Sequence, residues 1–185
     1  MQDDAPRLFT RRLELIAATP ELARLDADGT RDRSHDALAA ALQAGVPTGW
    51  PPAMFAEDQE RFLQQLESDA TLVGWSYWYP VQQKPALVVG SIGFGGRPDR
   101  DGAVEIGYSM LPQFQRRGYA SEAMGALIDW AFSHDEVRIV RAHTFASLPD
   151  SMRVMEKNGL SFVGEGAQPN TLRFELRRPN RGEEQ

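Results

Sequence analysis

The sequence predicts a mixed α+β domain, with a central, mostly antiparallel sheet of about seven strands flanked by helices. Three observations carry that expectation. Val104, Ile106, Tyr108 and Met110 alternate with Glu105, Gly107 and Ser109, the period of two that marks a strand. Ala120, Ala123, Met124, Leu127, Ile128 and Ala131 then recur at helical spacing, with Glu122, Gly125 and Asp129 on the opposite face. The whole chain reads in order as strand, two or three helices, three strands, helix, strand, helix, two strands. A helix joining neighbouring strands implies one parallel pair within an otherwise antiparallel sheet. A chain of 185 residues fits one domain, expected over residues 8–177, with 1–7 and 178–185 as flexible ends.

Each element has its own signal. Arg12 to Ala17 reads as the first strand, with Leu13 and Leu15 on one face. Thr19-Pro20-Glu21 opens a helix: a capping hydroxyl, a proline at the first position and an acid in the first turn. That helix is expected to end near Gly29. Ser34 caps a second helix through Leu38, Ala41 and Leu42, stopped by Gly45. Val46 to Phe55 breaks both periods through its prolines and Gly49, yet it is apolar and aromatic. It is either a loop packed on the core through Trp50 and Phe55 or one wall of a binding pocket. A further helix over about 57–68 carries Phe62, Leu63 and Leu66 on one face. Strands at Leu72–Tyr79, Ala86–Phe94 and Ala103–Met110 follow, joined by the turns Gln82–Pro85 and Gly95–Asp99. Gly90, Gly93, Gly95 and Gly96 lead into a strand with no Lys-Ser/Thr after them, so they are hairpin glycines, not a nucleotide loop. The next helix runs to about His134, and Val137–Thr144 is a fifth strand. Ser147-Leu148-Pro149-Asp150 starts a last helix with Leu148, Met152 and Met155 inward, closing at Asn158-Gly159. Leu160–Val163 and Leu172–Leu176 make the final strand pair.

Composition narrows the class. No apolar run approaches the roughly 20 residues that span a bilayer, and Met1-Gln2-Asp3-Asp4 does not open a signal peptide. The chain has no cysteine, which excludes disulfides and a thiol nucleophile and fits a cytoplasmic protein. A net charge of −6 argues against non-specific nucleic-acid binding and favours a cationic or amine-bearing partner. Three scattered histidines give no metal-ligand spacing, so no metal is expected.

The chemistry concentrates between the strand ending at Met110 and the helix that follows it. The turn Gln113-Phe114-Gln115-Arg116-Arg117-Gly118 delivers the chain into a helix at or near Gly118. A helix start presents backbone N–H groups without intrahelical partners at the positive end of the dipole. Gly118 admits a ligand close to the backbone, Ala120 adds little bulk, and Arg116 and Arg117 add charge. These are the requirements for holding a phosphate or pyrophosphate.

The same residues carry a family resemblance. Gln115-x-x-Gly118-x-Ala120 resembles the Q/R-x-x-G-x-G/A signature of GNAT-type N-acetyltransferases, which hold the pyrophosphate of acetyl-CoA there. Glu105-Ile106-Gly107-Tyr108 followed by Gly118-Tyr119-Ala120-Ser121-Glu122-Ala123 is similar to the RimJ/RimL-like branch. The resemblance covers about residues 8–177 and implies acetyl transfer from acetyl-CoA to a primary amine, on a protein N-terminus or a small molecule. It implies that Gln115, Arg116, Arg117, Gly118, Tyr119, Ala120 and Ser121 hold the cofactor, and that Tyr108, Ser109 and Met110 flank its acetyl and pantetheine groups. It also implies Glu105 as the base and Ser151 as the group that protonates or hydrogen-bonds the departing sulfur. Trp50, Phe55 and Trp75 are the candidates for the acceptor pocket.

Two departures keep an alternative open. Leu148 stands where the similar branch has Asn, and Met155 where other family members have a catalytic Tyr. An acyl-CoA-binding module with little catalysis is therefore a second reading, and a phosphate-binding domain unrelated to CoA a third. Glu105 shares a face with Gly107 and Ser109 in a strand expected to be central, so partial desolvation is expected to raise its pKa. His143 is an alternative base or a structural residue. His35 and His134 read as helix residues, and Arg97, Arg100 and Arg141 as solvated or ion-paired. An exposed aromatic cluster would favour a homodimer.

Overall fold

The computed structural model of the chain describes residues 5–179. Of the expected flexible ends at 1–7 and 178–185, residues 1–4 and 180–185 lie outside the described residues. Nine strands form one sheet: β1 (Arg7–Phe9), β2 (Leu13–Ala17), β3 (Tyr77–Gln83), β4 (Ala86–Val88), β5 (Gly90–Phe94), β6 (Ala103–Met110), β7 (Ile139–Phe145), β8 (Ser161–Glu165) and β9 (Thr171–Arg177). The five helices are α1 (Pro20–Asp32), α2 (Asp36–Leu42), α3 (Ala53–Ser68), α4 (Tyr119–Phe132) and α5 (Pro149–Lys157). The sheet order is β1-β2-β3-β5-β6-β7-β9-β8, with β4 on β3, and among the described strands only β6–β7 form a parallel ladder. The mixed α+β class is therefore as expected.

Two more strands are present than expected. β1 adds an edge to β2, starting at Arg7 inside the stretch read as a loose end. The 86–94 strand divides because its register on β3 shifts by one residue between Val81↔Val88 and Trp78↔Ile92. α1 runs past Gly29 to Asp32 and ends on Arg33 at φ 57. Gly29 is a packing glycine, since a Cβ there would lie 2.7 Å from the His35 ring. α3 begins at Ala53 rather than 57, because Pro52 just before a helix start loses no intrahelical bond. Ser34 and Ser147 cap nothing, and the N-caps are His35 and Leu148. Leu148, expected inward, is 43% exposed.

Strand alternation sorts the core into two layers. Tyr77 and Tyr79 face α1 and α3, where Tyr77 packs on Phe55 and Phe62 with ring centroids 4.7 and 5.4 Å apart. Trp78 and Phe94 face α4 and meet Trp130 at 5.5 and 5.8 Å. The pairs Ile92↔Tyr108 and Phe94↔Ile106 carry the α4 face onto β6, so Glu105, Gly107 and Ser109 belong to the α1/α3 face. That face is covered over β2, β3 and β5. Farther along, Glu105, Gly107, Arg141, His143, Arg173 and Arg177 all keep solvent exposure. Half of the sheet is open on that side.

Candidate active site

β6 and β7 are paired only from Ala103↔Ile139 to Glu105↔Arg141. Beyond Glu105 the ladder ends, leaving a wedge between the strands. Backbone direction follows from the other side of β6. The Gly95 N–H donates to Glu105 O at 2.9 Å, and the Leu111 N–H donates to Val89 O at 3.0 Å. Odd-numbered residues thus turn their backbone to β5, and Ile106, Tyr108 and Met110 turn theirs to the wedge. The Met110 carbonyl takes one partner there, Gln115 Nε2 at 3.1 Å. The Tyr108 and Met110 amides stand where a thioester carbonyl in the wedge would find donors.

The next turn closes the top of the wedge. Arg116 at φ 60 and Gly118 at φ 80 bend the backbone sharply, and no side chain caps α4. The first helical bond is Glu122 N–H to Gly118 O, so the N–H groups of Tyr119, Ala120 and Ser121 have no intrahelical acceptor. They stand at the positive end of the helix dipole, an arrangement suited to an anion. Arg116, largely exposed, reaches Asp150 on α5 at 3.2 Å. Arg117 lies over the Phe114 ring, and Ser121 Oγ accepts from Asn158 Nδ2 at 3.2 Å.

A second set of residues holds this turn, and sequence reasoning missed it. Glu122 accepts from the Thr10 hydroxyl at 2.6 Å, the Arg12 amide at 2.8 Å and Arg12 Nε at 2.7 Å. Arg12 NH1 donates to the Arg117 carbonyl at 2.9 Å, and the guanidinium lies 4.7 Å from the Tyr119 ring centre. Tyr119 in turn donates to Gln82 Oε1 at 3.0 Å. Burial raises the Glu122 pKa, but the bonds from Thr10 and Arg12 outweigh it and hold the carboxyl below its ordinary value. The only signal in the sequence was an acid in the first turn of α4, which explains nothing about a partner 110 residues away.

Below the turn, the Tyr108 hydroxyl donates to Ser151 Oγ at 3.3 Å. Ser151 sits in the first turn of α5, and Tyr108 reaches it across the wedge. Burial pushes the Tyr108 phenol up, with the Ser151 bond opposing and Asp150 adding to the rise. Sequence reasoning had implicated only the backbone of Tyr108. Met155 is buried on α5, so no phenol occupies that position.

On the open face, Glu105 Oε1 lies 3.2 Å from His143 Nδ1. The expected desolvation of Glu105 does not occur: its side chain is 60% exposed, because no helix covers this part of the face. The carboxylate instead stands paired with an imidazole, which joins two residues that were separate candidates. Ser109 is half-buried on the same face. The three aromatic candidates lie elsewhere. Trp75 packs on Phe94, Trp130 and His134. Phe55 is enclosed by Trp50, Phe62 and Tyr77. Trp50 is drawn inward by Asp26, to which its indole N–H donates at 2.7 Å, with the Tyr79 hydroxyl on the other oxygen at 2.9 Å. All three are buried, which corrects their placement on an acceptor-lining surface. The Val46–Pro52 strap does touch the site's rim, where Gln113 Nε2 donates to Thr48 O at 3.4 Å.

A family model described as an acetyltransferase (GNAT) domain matches residues 2–161. Among relatives, the protein named uncharacterized N-acetyltransferase YjdG of Bacillus subtilis (strain 168) is 32% identical over 163 residues, 87% of this chain and 93% of its own. A ribosomal-protein alanine acetyltransferase structure from Vibrio fischeri superposes with a TM-score of 0.67 at 16% identity, covering 95% of this chain and 98% of that one. The RimL ribosomal alpha-N-protein acetyltransferase in complex with coenzyme A superposes at 0.64 and 18% identity, covering 93% and 98%.

Proposed function

The chain belongs to the GNAT acetyltransferase family and is an acetyl-CoA-dependent N-acetyltransferase, and we propose that its acceptor is a primary amine, a peptide N-terminus foremost, acetylated by direct attack in a ternary complex. The observation that carries this reading is the wedge between β6 and β7, with an uncapped helix start above it and a carboxylate–imidazole pair on the open face. Acetyl-CoA supplies the thioester, and the chain's residues do the rest. The N–H groups of Tyr119, Ala120 and Ser121 bind the pyrophosphate, helped by Arg116 and Arg117, while Gln115 fixes the end of β6. Tyr108 and Met110 turn backbone donors toward the thioester oxygen, and Ser109 lies beside them. The amine nitrogen bonds to the acetyl carbon as the carbon–sulfur bond breaks, and its proton passes to the Glu105–His143 pair. Ser151, backed by the Tyr108 hydroxyl, hydrogen-bonds the departing sulfur. With the phenol pushed above its ordinary 10.0 and a free thiol near 8.5, stabilising the thiolate is favoured over handing it the phenol proton.

The open half of the sheet supports an extended acceptor over a small enclosed one. Cytoplasmic residence is proposed with this reading, on the dependence on acetyl-CoA and a chain without cysteine. A homodimer is proposed through β8, an edge strand on which Phe162 is 58% exposed. The test is calorimetric titration with acetyl-CoA of the wild type and Gly118→Trp, followed by mass spectrometry of peptides incubated with enzyme and acetyl-CoA. Binding that is lost in the variant, with acetylated N-termini in the wild type, is the expected result. Tight binding by Gly118→Trp refutes the cofactor turn, and acetylation confined to small amines refutes the acceptor.

A further inference from the structure

The open face carries a local charge pattern unlike that of the chain, whose net charge is −6. Arg138, Arg141, Arg173 and Arg177 line a groove of about 480 Å³ along β7 and β9, with Asp101 and Glu175 as its acidic members. One of the four is committed. Arg141 Nε donates to Glu175 Oε1 at 2.9 Å, and its NH1 lies 3.8 Å from Asp99 at the rim. The others are not. Arg173 approaches Glu175 only at 3.8 Å and through a buried Nε, while its terminal NH groups make no hydrogen bond among the described residues. Arg138 and Arg177 make no ion pair among the described residues. A guanidinium with unused donors beside a groove is a receptor for carboxylate.

Register ties this groove to the reacting centre. Glu105 pairs with Arg141, His143 stands opposite Arg173, and Ile139 stands opposite Arg177. From His143 to Ile139 is four strand residues, about 13 Å. An extended peptide whose amine lies at Glu105 and His143 therefore sets its second to fourth residues over Arg173, Arg177 and Arg138. We propose that the acceptor is an N-terminal segment with acidic side chains at its second to fourth positions, laid along β7 and β9 and held by these three arginines. This rests on the peptide-acetylating reading above and adds the acceptor's charge.

The test compares kcat/KM for three peptides identical except for Glu, Gln or Lys at positions 2–4, using wild type, Arg173→Gln/Arg177→Gln and Arg177→Glu. Acetyl-CoA titration of each variant confirms an intact cofactor site. The wild type should prefer the Glu peptide over the Gln peptide by about tenfold, the size of two partly screened charge contacts, and the margin should shrink in high salt. The double variant, which leaves only Arg138 of the three, should remove most of the preference for the Glu peptide, and Arg177→Glu should move preference toward Lys. Equal rates for all three peptides overturn this inference while leaving peptide acetylation standing. Acetyl-CoA binding with no peptide acetylated overturns the reading beneath it. Free glutamate acetylated as fast as the Glu peptide overturns the extended segment. An oligonucleotide held by the wild type and released by the double variant, without any peptide preference, assigns the groove to nucleic acid.

Discussion

Replacing Glu122 with Gln isolates the clamp between the β1–β2 hairpin and the turn before α4, the proposed acetyl-CoA site. Gln keeps one carbonyl oxygen for the Thr10 hydroxyl and the Arg12 amide, which meet the same oxygen at 2.6 and 2.8 Å. It loses the Arg12 Nε bond at 2.7 Å and points an amide donor at the guanidinium. A hydrogen bond between charged partners contributes about 1.5–3 kcal/mol. The side chains are 35% and 17% exposed for Arg12 and Glu122, so solvent screening reduces that to about 1–2 kcal/mol. At about 2–4 °C per kcal/mol for a chain of this size, the melting temperature should fall by about 2–8 °C. Arg12 also holds the Arg117 carbonyl, so a freed Arg12 loosens the turn, and acetyl-CoA affinity should fall by about three- to tenfold. The pH dependence has a definite sign. The folded carboxyl titrates below its ordinary 4.5, so its contribution is present above that value and lost as pH falls through the folded pKa. Differential scanning fluorimetry across pH and calorimetry at neutral pH read both effects. A lower melting temperature with unchanged acetyl-CoA affinity would refute the coupling of clamp to turn. No change in either would refute the clamp.

Three further outcomes follow from the site and the core. Glu105→Gln should lower kcat by about a hundredfold with acetyl-CoA affinity unchanged, the size of lost general-base catalysis; wild-type turnover would remove Glu105 from the proton path. Tyr108→Phe and Ser151→Ala should each slow turnover, and the double variant should be no slower than the worse single one, because both act through one hydrogen bond; additive losses would separate them. Asp26 is fully buried, and burial raises its pKa from 3.8 to about 6 against the bonds from Trp50 and Tyr79. A raised acid favours the protonated folded state, so stability from this group is full below 3.8 and declines as pH rises through about 6. His35, 3.9 Å from Asp26, is pushed down by burial and opposes the trend as it protonates. Asp26→Asn should therefore flatten the melting temperature between about pH 4 and 6 and gain up to roughly 3 kcal/mol at neutral pH. A variant with the wild-type pH slope would show that Asp26 is not the titrating group.

The sequence alone determined what depends on neighbours along the chain. The period-two run 103–110 defined β6 to the residue, and Thr19-Pro20 marked the start of α1, where the Thr19 hydroxyl accepts the Leu22 amide at 3.2 Å. The strand–turn–helix at Gly118 was legible for the same reason: φ 80 there is a local demand that glycine meets. What the sequence misplaced was governed by distant contacts. Gly29 read as a helix stop because its packing against His35 is invisible in one dimension, and the choice between core packing and a pocket wall for Trp50 stayed open because the buried carboxylate that claims it lies on another helix. Only the tertiary structure decided that Glu105 meets His143 in solvent, that the Tyr108 hydroxyl bonds Ser151, and that Thr10 and Arg12 brace the turn before α4. Each of these depends on strand order and on where the β6–β7 ladder ends, and pairing between segments far apart in the chain leaves no local periodicity to read.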